Sequence, residues 1–487
     1  MAIINGTNAN DNLYSFGGGD SLYSFGGDDV LNISNSLGKN LLDGGSENDQ
    51  IYAVATTGNN ILKGGSGDDY LDVSVSFGNN ILYGDTGNDE FSIQDSFGKN
   101  IVLGGTGSDK FYAYRVNGAN TLDGGNGNDS FYLSASYTAP SVLVTQTVNG
   151  GTGSDYLEVN YSSYTTKGIT STFNATTNQG SITSGTNRVS YKNIERFNIT
   201  GTAYADNIRG GNGEDVLSGG TSGNDTISGG SGNDRLYVSY SSGNKIVNGD
   251  DGNDTFYAYG AKGANTLNGG NGDDTFYLTA PTTAPSVLLT QTVNGGTGSD
   301  YLEVNYSSYT NKGITSTFNA TTNQGSIISG TNQVIYKNIQ GLNISGTVYA
   351  DNIIGSNSSD LLFGYNGNDL LTGGKGNDIL YGGDGTDTFA FNNYNQGIDT
   401  LVDFDTTDEV IQVSATGFGG SLAVGTLSAG KFTIGSSATA IAQRFIYDNI
   451  TGALFFDQDG SAGAFTQVQF AQLSSGMSLK ATHFVVV

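Results

Sequence analysis

With 487 residues, 46 Asp and Glu against 19 Lys and Arg, no Cys and a single His (His483), the chain carries a net charge of −27. That composition excludes a disulfide framework, a zinc or iron–sulfur site and repeated imidazole chemistry, and its acidity excludes a basic nucleic-acid groove or a face for anionic membranes. The ion it suits is a hard cation held by oxygen.

Length alone suggests about three domains, a prior that fails for repeat proteins, so internal periodicity comes first. The 76 Gly would fit disorder, but 28 Tyr and 24 Phe recur at fixed positions and disordered chains are poor in aromatics. The opening residues MAIINGTNANDNLYSF hold no basic stretch followed by an apolar run, and no run of about 18 apolar residues occurs anywhere. The expectation is a protein that is either cytosolic or exported without a cleaved N-terminal leader.

In chain order, Asp11, Asp20 and Asp29 are nine residues apart; Asp49, Asp69, Asp89, Asp109 and Asp129 follow Asp29 at steps of 20, and Asp155 comes 26 later. After a gap the series resumes at Asp206, Asp215, Asp225 and Asp234, passes Asp254 and Asp274 at steps of 20, and reaches Asp300 after 26. Asp351, Asp360, Asp369, Asp378 and Asp387 form a last nine-residue series. Ten of these Asp close the string GGxGxD. Its first and third glycines are Gly64 and Gly67, Gly104 and Gly107, Gly124 and Gly127, Gly150 and Gly153, Gly210 and Gly213, Gly229 and Gly232, Gly269 and Gly272, Gly295 and Gly298, Gly373 and Gly376, and Gly382 and Gly385. Glycine permits positive φ, so such a turn can aim its carbonyls at one point, and the Asp adds a carboxylate. Ca²⁺ wants six to eight oxygens, which two stacked turns can provide and one cannot.

Two residues beyond each motif Asp stands an apolar residue, such as Leu71, Phe91, Phe111 and Phe131, and seven before it another, such as Leu62, Leu82, Val102 and Leu122. Both are predicted to point inward from short strands. A second turn, built on Gly58, Gly78, Gly98, Gly118 and Gly263 and usually followed by Asn, completes each 20-residue block. One block is therefore expected to be one coil of two strands and two turns with calcium on one edge. In the nine-residue series both edges carry motif turns. Gly44 to Asp49, Gly84-Asp85, Gly249-Asp250 and Gly364-Tyr365 depart from the motif, and the loop from Gly219 to Asp225 has an extra residue.

The string matches the nonapeptide GGxGxDxUx, and the chain resembles the repeats-in-toxin (RTX) family over most of residues 1–390. That resemblance implies an all-β fold: a parallel β-roll or β-solenoid with several Ca²⁺ ions between successive turns. Residues 101–206 recur at 246–351 with an offset of 145, and from Thr138 to Ser181 only Val144 and Thr166 differ from their partners, Leu289 and Asn311. The reading divides the chain into arrays at 1–155, 206–300 and 351–387, metal-free β inserts at 156–205 and 301–350, and a C-terminal part at 388–487. Tyr112, Tyr132, Tyr237, Tyr257, Tyr277 and Tyr381 alternate to the outer face, as a stiffening ladder or as a stripe for glycan or a second subunit.

The C-terminal part, with Gly397-Ile-Asp-Thr-Leu-Val-Asp403-Phe404-Asp405 and the apolar ending Phe484 to Val487, looks like the region after the repeats in serralysin-type exported proteins. The resemblance implies a small β-rich cap with a type I secretion signal. Asp457-Gln-Asp459-Gly reads as a hairpin turn that could also bind Ca²⁺.

No H-E-x-x-H protease helix fits one His. Glu158 and Glu303 are the only acids of the inserts apart from Glu195, which becomes Gln340 in the second copy, so a paired-carboxylate glycosidase in each copy is unsupported. The expectation is a non-enzymatic, extracellular or cell-surface protein that folds on Ca²⁺ and self-associates into a layer, matrix or filament, its N-terminal end or a Tyr-lined flank mediating assembly. The alternatives are an adhesin or glycan-binding module and, behind it, a polysaccharide-modifying enzyme.

Overall fold

The computed structural model describes residues 1–136, 140–163, 167–308 and 312–487. Thr138, Thr166 and Asn311, named above in comparing the copies, lie outside the described residues. The chain divides into two compact units, Met1–Val238 with Ser242–Gly252, and Ser239–Ser241 with Asn253–Val487.

In the first unit each 20-residue block makes one coil carrying two strands, such as Ile61–Ser66 and Tyr70–Asp72. The first joins a parallel sheet in which Leu42, Leu62 and Leu82 are in register; the second joins another in which Ile51, Leu71 and Phe91 are in register. Each side chain of one ladder therefore rests on its equivalent in the next coil. Leu42, Leu62, Leu82, Ile51 and Leu71 are wholly buried, and Phe91, Phe111 and Phe131 stack with centroids 5.0 and 4.5 Å apart. Burying such a side chain stabilises by about 1.5–3 kcal/mol, and the ladder repeats that gain at every coil. The sharp corners come from glycines that adopt positive φ, as Gly65 (+113°) and Gly67 (+126°) do.

The nine-residue series makes tighter coils. Asn12 pairs with Val30, 18 residues on, and Asn207 with Thr226, 19 on, where the extra residue of the Gly219–Asp225 loop is absorbed. The first insert continues the coils rather than interrupting them. Strand Val144–Thr152 pairs in parallel with Asn187–Lys192, and Tyr156–Asn160 with Arg196–Thr200. Between them Thr170–Asn174 and Gln179–Ser184 form an antiparallel hairpin that widens one sheet.

The second unit repeats this plan. Strand Thr266–Asn271 pairs with Leu289–Thr297, and the hairpin Ile314–Asn319 with Gln324–Ser329 reproduces the insert. After Asp387 the sheets run on into the C-terminal part: Thr388–Phe391 pairs with Val410–Val413, which pairs with Phe484–Val486. Likewise Ile379–Asp384 pairs with Asp399–Leu401, which pairs with Val468–Gln472. Phe418, Phe445, Phe456 and Phe470 pack there as an aromatic core of tilted and edge-on rings. Helix among the described residues is confined to Ala415–Phe418 and three single 3-10 turns.

Candidate metal sites

Register brings the motif carboxylates into a line along one edge of the 20-residue coils. The N–H of Asp29 donates to Oδ1 of Asp49 (2.9 Å), Asp49 to Asp69 (2.8 Å), Asp69 to Asp89 (2.9 Å), Asp89 to Asp109 (2.8 Å), Asp109 to Asp129 (2.8 Å) and Asp129 to Asp155 (2.8 Å). In the second unit Asp254 donates to Asp274 (2.9 Å), Asp274 to Asp300 (2.9 Å), Asp369 to Asp387 (2.8 Å) and Asp360 to Asp378 (2.8 Å). One oxygen of each acceptor is thereby spent on the backbone.

The other oxygen is buried without a hydrogen-bond partner at Asp29, Asp49, Asp69, Asp89, Asp109, Asp129, Asp155, Asp274, Asp300, Asp369, Asp378 and Asp387. A native protein does not leave a row of buried carboxylate oxygens unmatched without reason, because each costs its full desolvation penalty. The first motif glycine makes the room beside each. A Cβ on Gly104 would run into Asp109 Oδ2 and the Gly124 carbonyl, one on Gly124 into Asp129 Oδ2 and the Gly150 carbonyl, and one on Gly269 into Asp274 Oδ2 and the Gly295 carbonyl. Carboxylate and carbonyl oxygens from neighbouring coils thus converge. Among the described residues no three acidic or imidazole side chains cluster as a metal site; the oxygens that converge at these turns are carboxylate and carbonyl. An all-oxygen set of this kind fits Ca²⁺.

Burial, reinforced by neighbouring carboxylates, pushes the acids of Asp49, Asp69, Asp89 and Asp109 up to about 7, against the partial relief of one backbone N–H each. Asp129 and Asp155 rise to about 6 for the same reasons. A Ca²⁺ held by these oxygens would supply the positive charge that lets the groups ionise at neutral pH while the coils stay stacked.

Other predicted ligands find partners within the chain. Asp11 Oδ2 accepts from Thr7 N–H (2.5 Å) and hydroxyl (2.9 Å), and Asp20 Oδ2 from the Ser15 hydroxyl (2.5 Å), which holds Asp20 below the usual range. Asp206 and Asp351 take the N–H and hydroxyl of Thr202 and Thr347, Asp360 those of Ser356, and Asp215 the N–H groups of Gly211 and Phe197. Asp225 takes the Lys245 ammonium at 2.6 Å. At Asp457 the carboxylate accepts from its own turn, Asp459 N–H and Gly460 N–H, as a hairpin turn does.

The second edge of the 20-residue coils carries amides where the first carries acids. Asn40 N–H donates to Asn60 Oδ1 (3.1 Å), Asn60 to Asn80 (2.9 Å), Asn80 to Asn100 (3.1 Å) and Asn100 to Asn120 (2.8 Å), and Gln146 closes the row at 3.2 Å. Each amide nitrogen then donates to its own turn: Asn60 Nδ2 reaches Thr56 Oγ1 (2.9 Å), the Gly58 carbonyl (3.0 Å) and Asn80 Oδ1 (3.0 Å). This edge satisfies itself. The Gly-x-Asn spacing of the second turn carries that signal.

Four ladder positions lie outside the motif. Glu195 Oε2 accepts Asp155 N–H (2.8 Å), Gln340 Oε1 accepts Asp300 N–H (2.7 Å) and Asp399 Oδ1 accepts Asp378 N–H (3.2 Å). Glu409 is buried beside Asp387 and pushed up to about 8 by that burial. Irregular spacing hides them, but each is followed two residues later by an inward apolar residue: Phe197, Leu342, Leu401 and Ile411.

A family model described as the RTX calcium-binding nonapeptide repeat (4 copies) matches residues 53–75, 72–92, 116–135, 198–221, 220–239, 257–280, 345–380 and 354–389. The chain carries RTX calcium-binding repeats. The matched segments cover turns whose Asp Oδ2 is orphaned, such as Asp69, Asp129 and Asp378, and turns that cap themselves, such as Asp206. Among solved structures, the extracellular lipase LipA from Serratia marcescens is similar at 16% identity with a TM-score of 0.16, over 61% of this chain and 40% of the lipase. No curated protein matches the chain. Among the described residues no helix is long and apolar enough to cross a membrane.

Proposed function

We propose that this RTX protein is exported, folds on Ca²⁺ outside the cell and serves as a structural component of a surface layer, matrix or filament through self-association. The row of orphaned Asp oxygens carries the reading: the stacked coils are electrostatically incomplete until a cation arrives. Sites of the extracellular kind, with dissociation constants of roughly 10⁻⁴–10⁻³ M, stay empty in cytosol and fill outside, which couples folding to export. Secretion by a type I system through residues 388–487 belongs to the same proposal, as does the absence of enzymatic activity. Duplication of residues 101–206 supports a structural role, since a solenoid lengthens by copying without disturbing its neighbours.

An adhesin or glycan-binding module is the alternative, favoured by exposed rings that form flat platforms. Phe77 stacks on Phe97 at 4.7 Å with both half-exposed, and the partly buried Tyr112 stacks on Tyr132 at 5.1 Å. Light scattering over a range of protein concentration at millimolar Ca²⁺ separates the two. Calcium-dependent growth supports assembly; a monomer at every concentration removes assembly and promotes the glycan reading.

A further inference from the structure

One turn of the array is neutralised by the chain itself. The side chains of Lys245 and Asp225 are both 0% exposed, and Lys245 Nζ lies 2.6 Å from Asp225 Oδ2. The ammonium also donates to the carbonyls of Gly223 (3.1 Å) and Ser242 (3.2 Å). The other carboxylate oxygen, Oδ1, accepts the N–H of Asp206 at 2.9 Å. A carboxylate oxygen and two carbonyl oxygens from neighbouring turns are the kind of set that the orphaned turns hold open.

The register says which position Lys245 occupies. Thr226 pairs with Ile246 as Ile81 pairs with Ile101, so Asp225 and Lys245 stand where Asn80 and Asn100 stand in the earlier coils. There the edge is sealed by amide donors; here an acid has entered the row and a basic residue has entered one coil later. The two turns before Asp225 are also sealed from within, Asp206 by Thr202 and Asp215 by Gly211 and Phe197.

We propose that the Lys245 ammonium is a tethered replacement for a bound cation at the Asp225 turn, so that the turns closing at Asp206, Asp215 and Asp225 hold together without Ca²⁺ and form a metal-independent seam in the first unit. A buried acid with a fixed internal counter-charge keeps its coil stacked where free cation is scarce, whereas the Asp49 to Asp155 ladder does not. The inference rests on the calcium reading of the neighbouring turns only in its metal count.

Hydrogen exchange with mass spectrometry on the full chain in chelator tests it. The amides of Thr226 and Ile246, which donate to the carbonyls of Asp206 and Asp225 at 2.8 Å, should exchange at least about tenfold more slowly than those of Tyr70 and Glu90, which belong to the orphaned ladder. Lys245→Ala should abolish that protection in chelator, restore it at millimolar Ca²⁺, and add one bound Ca²⁺ per chain by metal analysis. The pair Asp225→Asn with Lys245→Asn, which recreates Asn80 and Asn100, should keep both the chelator protection and the parental calcium count. Equal exchange of the two sets of amides in the parent, or an Ala variant matching the parent in protection and calcium, overturns the proposal. If the Ala variant does not fold at any Ca²⁺ level, the Asn pair decides: loss of its chelator protection overturns the proposal. A parent that takes up no Ca²⁺ would reject the calcium reading, while the chelator comparison would still judge Lys245.

Discussion

The backbone N–H of Asp69 donates to Oδ1 of Asp89 across 2.9 Å, from one coil to the next, and the second oxygen of Asp89 is left buried with no hydrogen-bond partner. Stacking the coils and orphaning the carboxylate are thus one event: the same register that satisfies the backbone strips water from the acid.

The pH dependence of the metal-free chain follows. Burial raises Asp69 and Asp89 from 3.8 to about 7, so between those values the folded chain holds protons that the unfolded chain has released. Their contribution to stability is present below pH ~4 and is lost as pH rises through about 7. In chelator, circular dichroism should show more β-structure at pH 5.5 than at pH 8, and millimolar Ca²⁺ should erase the difference. Equal β content at both pH values in chelator would show that these carboxylates do not govern folding.

Asn80→Asp should convert a sealed turn into an incomplete one. The change removes amide donation to Ser76 Oγ (3.0 Å), the Gly78 carbonyl (3.1 Å) and Asn100 Oδ1 (3.0 Å) and puts a carboxylate among those oxygens. An unsatisfied buried polar group costs about 1–3 kcal/mol, more when charged. The expected result is faster exchange of the Ile81 and Ile101 amides in chelator with partial recovery in Ca²⁺.

Leu71→Ala tests the inward ladder. Leu71 is wholly buried between Ile51 and Phe91, and the cavity should cost about 2–5 kcal/mol. Because a coil touches only its neighbours, exchange should quicken around residues 50–52, 70–72 and 90–92 while 207–218 stay unchanged.

Deleting residues 484–487 should unzip the C-terminal edge. Phe484–Val486 covers Val410–Val413, and Phe484 is fully buried. An uncovered strand of this kind exchanges and associates. Loss of protection at 388–391 and 410–413 is the expected readout, with retention of the product inside cells if this part also directs export.

Much of this protein was determined by sequence alone, because a solenoid writes its geometry as a period. The steps of nine and 20 residues, the glycine turns and the apolar residue two beyond each Asp yield the parallel coils, the inward ladders and the carboxylate edge, since each coil repeats the same local physics. Tertiary structure decided which carboxylate oxygens are left buried without a hydrogen-bond partner. Asp11, Asp206, Asp351 and Asp360 carry a Thr or Ser in place of the second motif glycine, four residues earlier, and its hydroxyl closes on each, but Asp215 ends a complete GGxGxD and is nevertheless taken by the N–H groups of Gly211 and Phe197. Lys245 lies 20 residues from Asp225, and only the stacking of their coils brings ammonium and carboxylate to 2.6 Å. Glu195, Gln340 and Asp399 join the ladders from irregular positions for the same reason: whether an oxygen is satisfied depends on what the next coil presents to it, and that is a property of the fold rather than of the spacing.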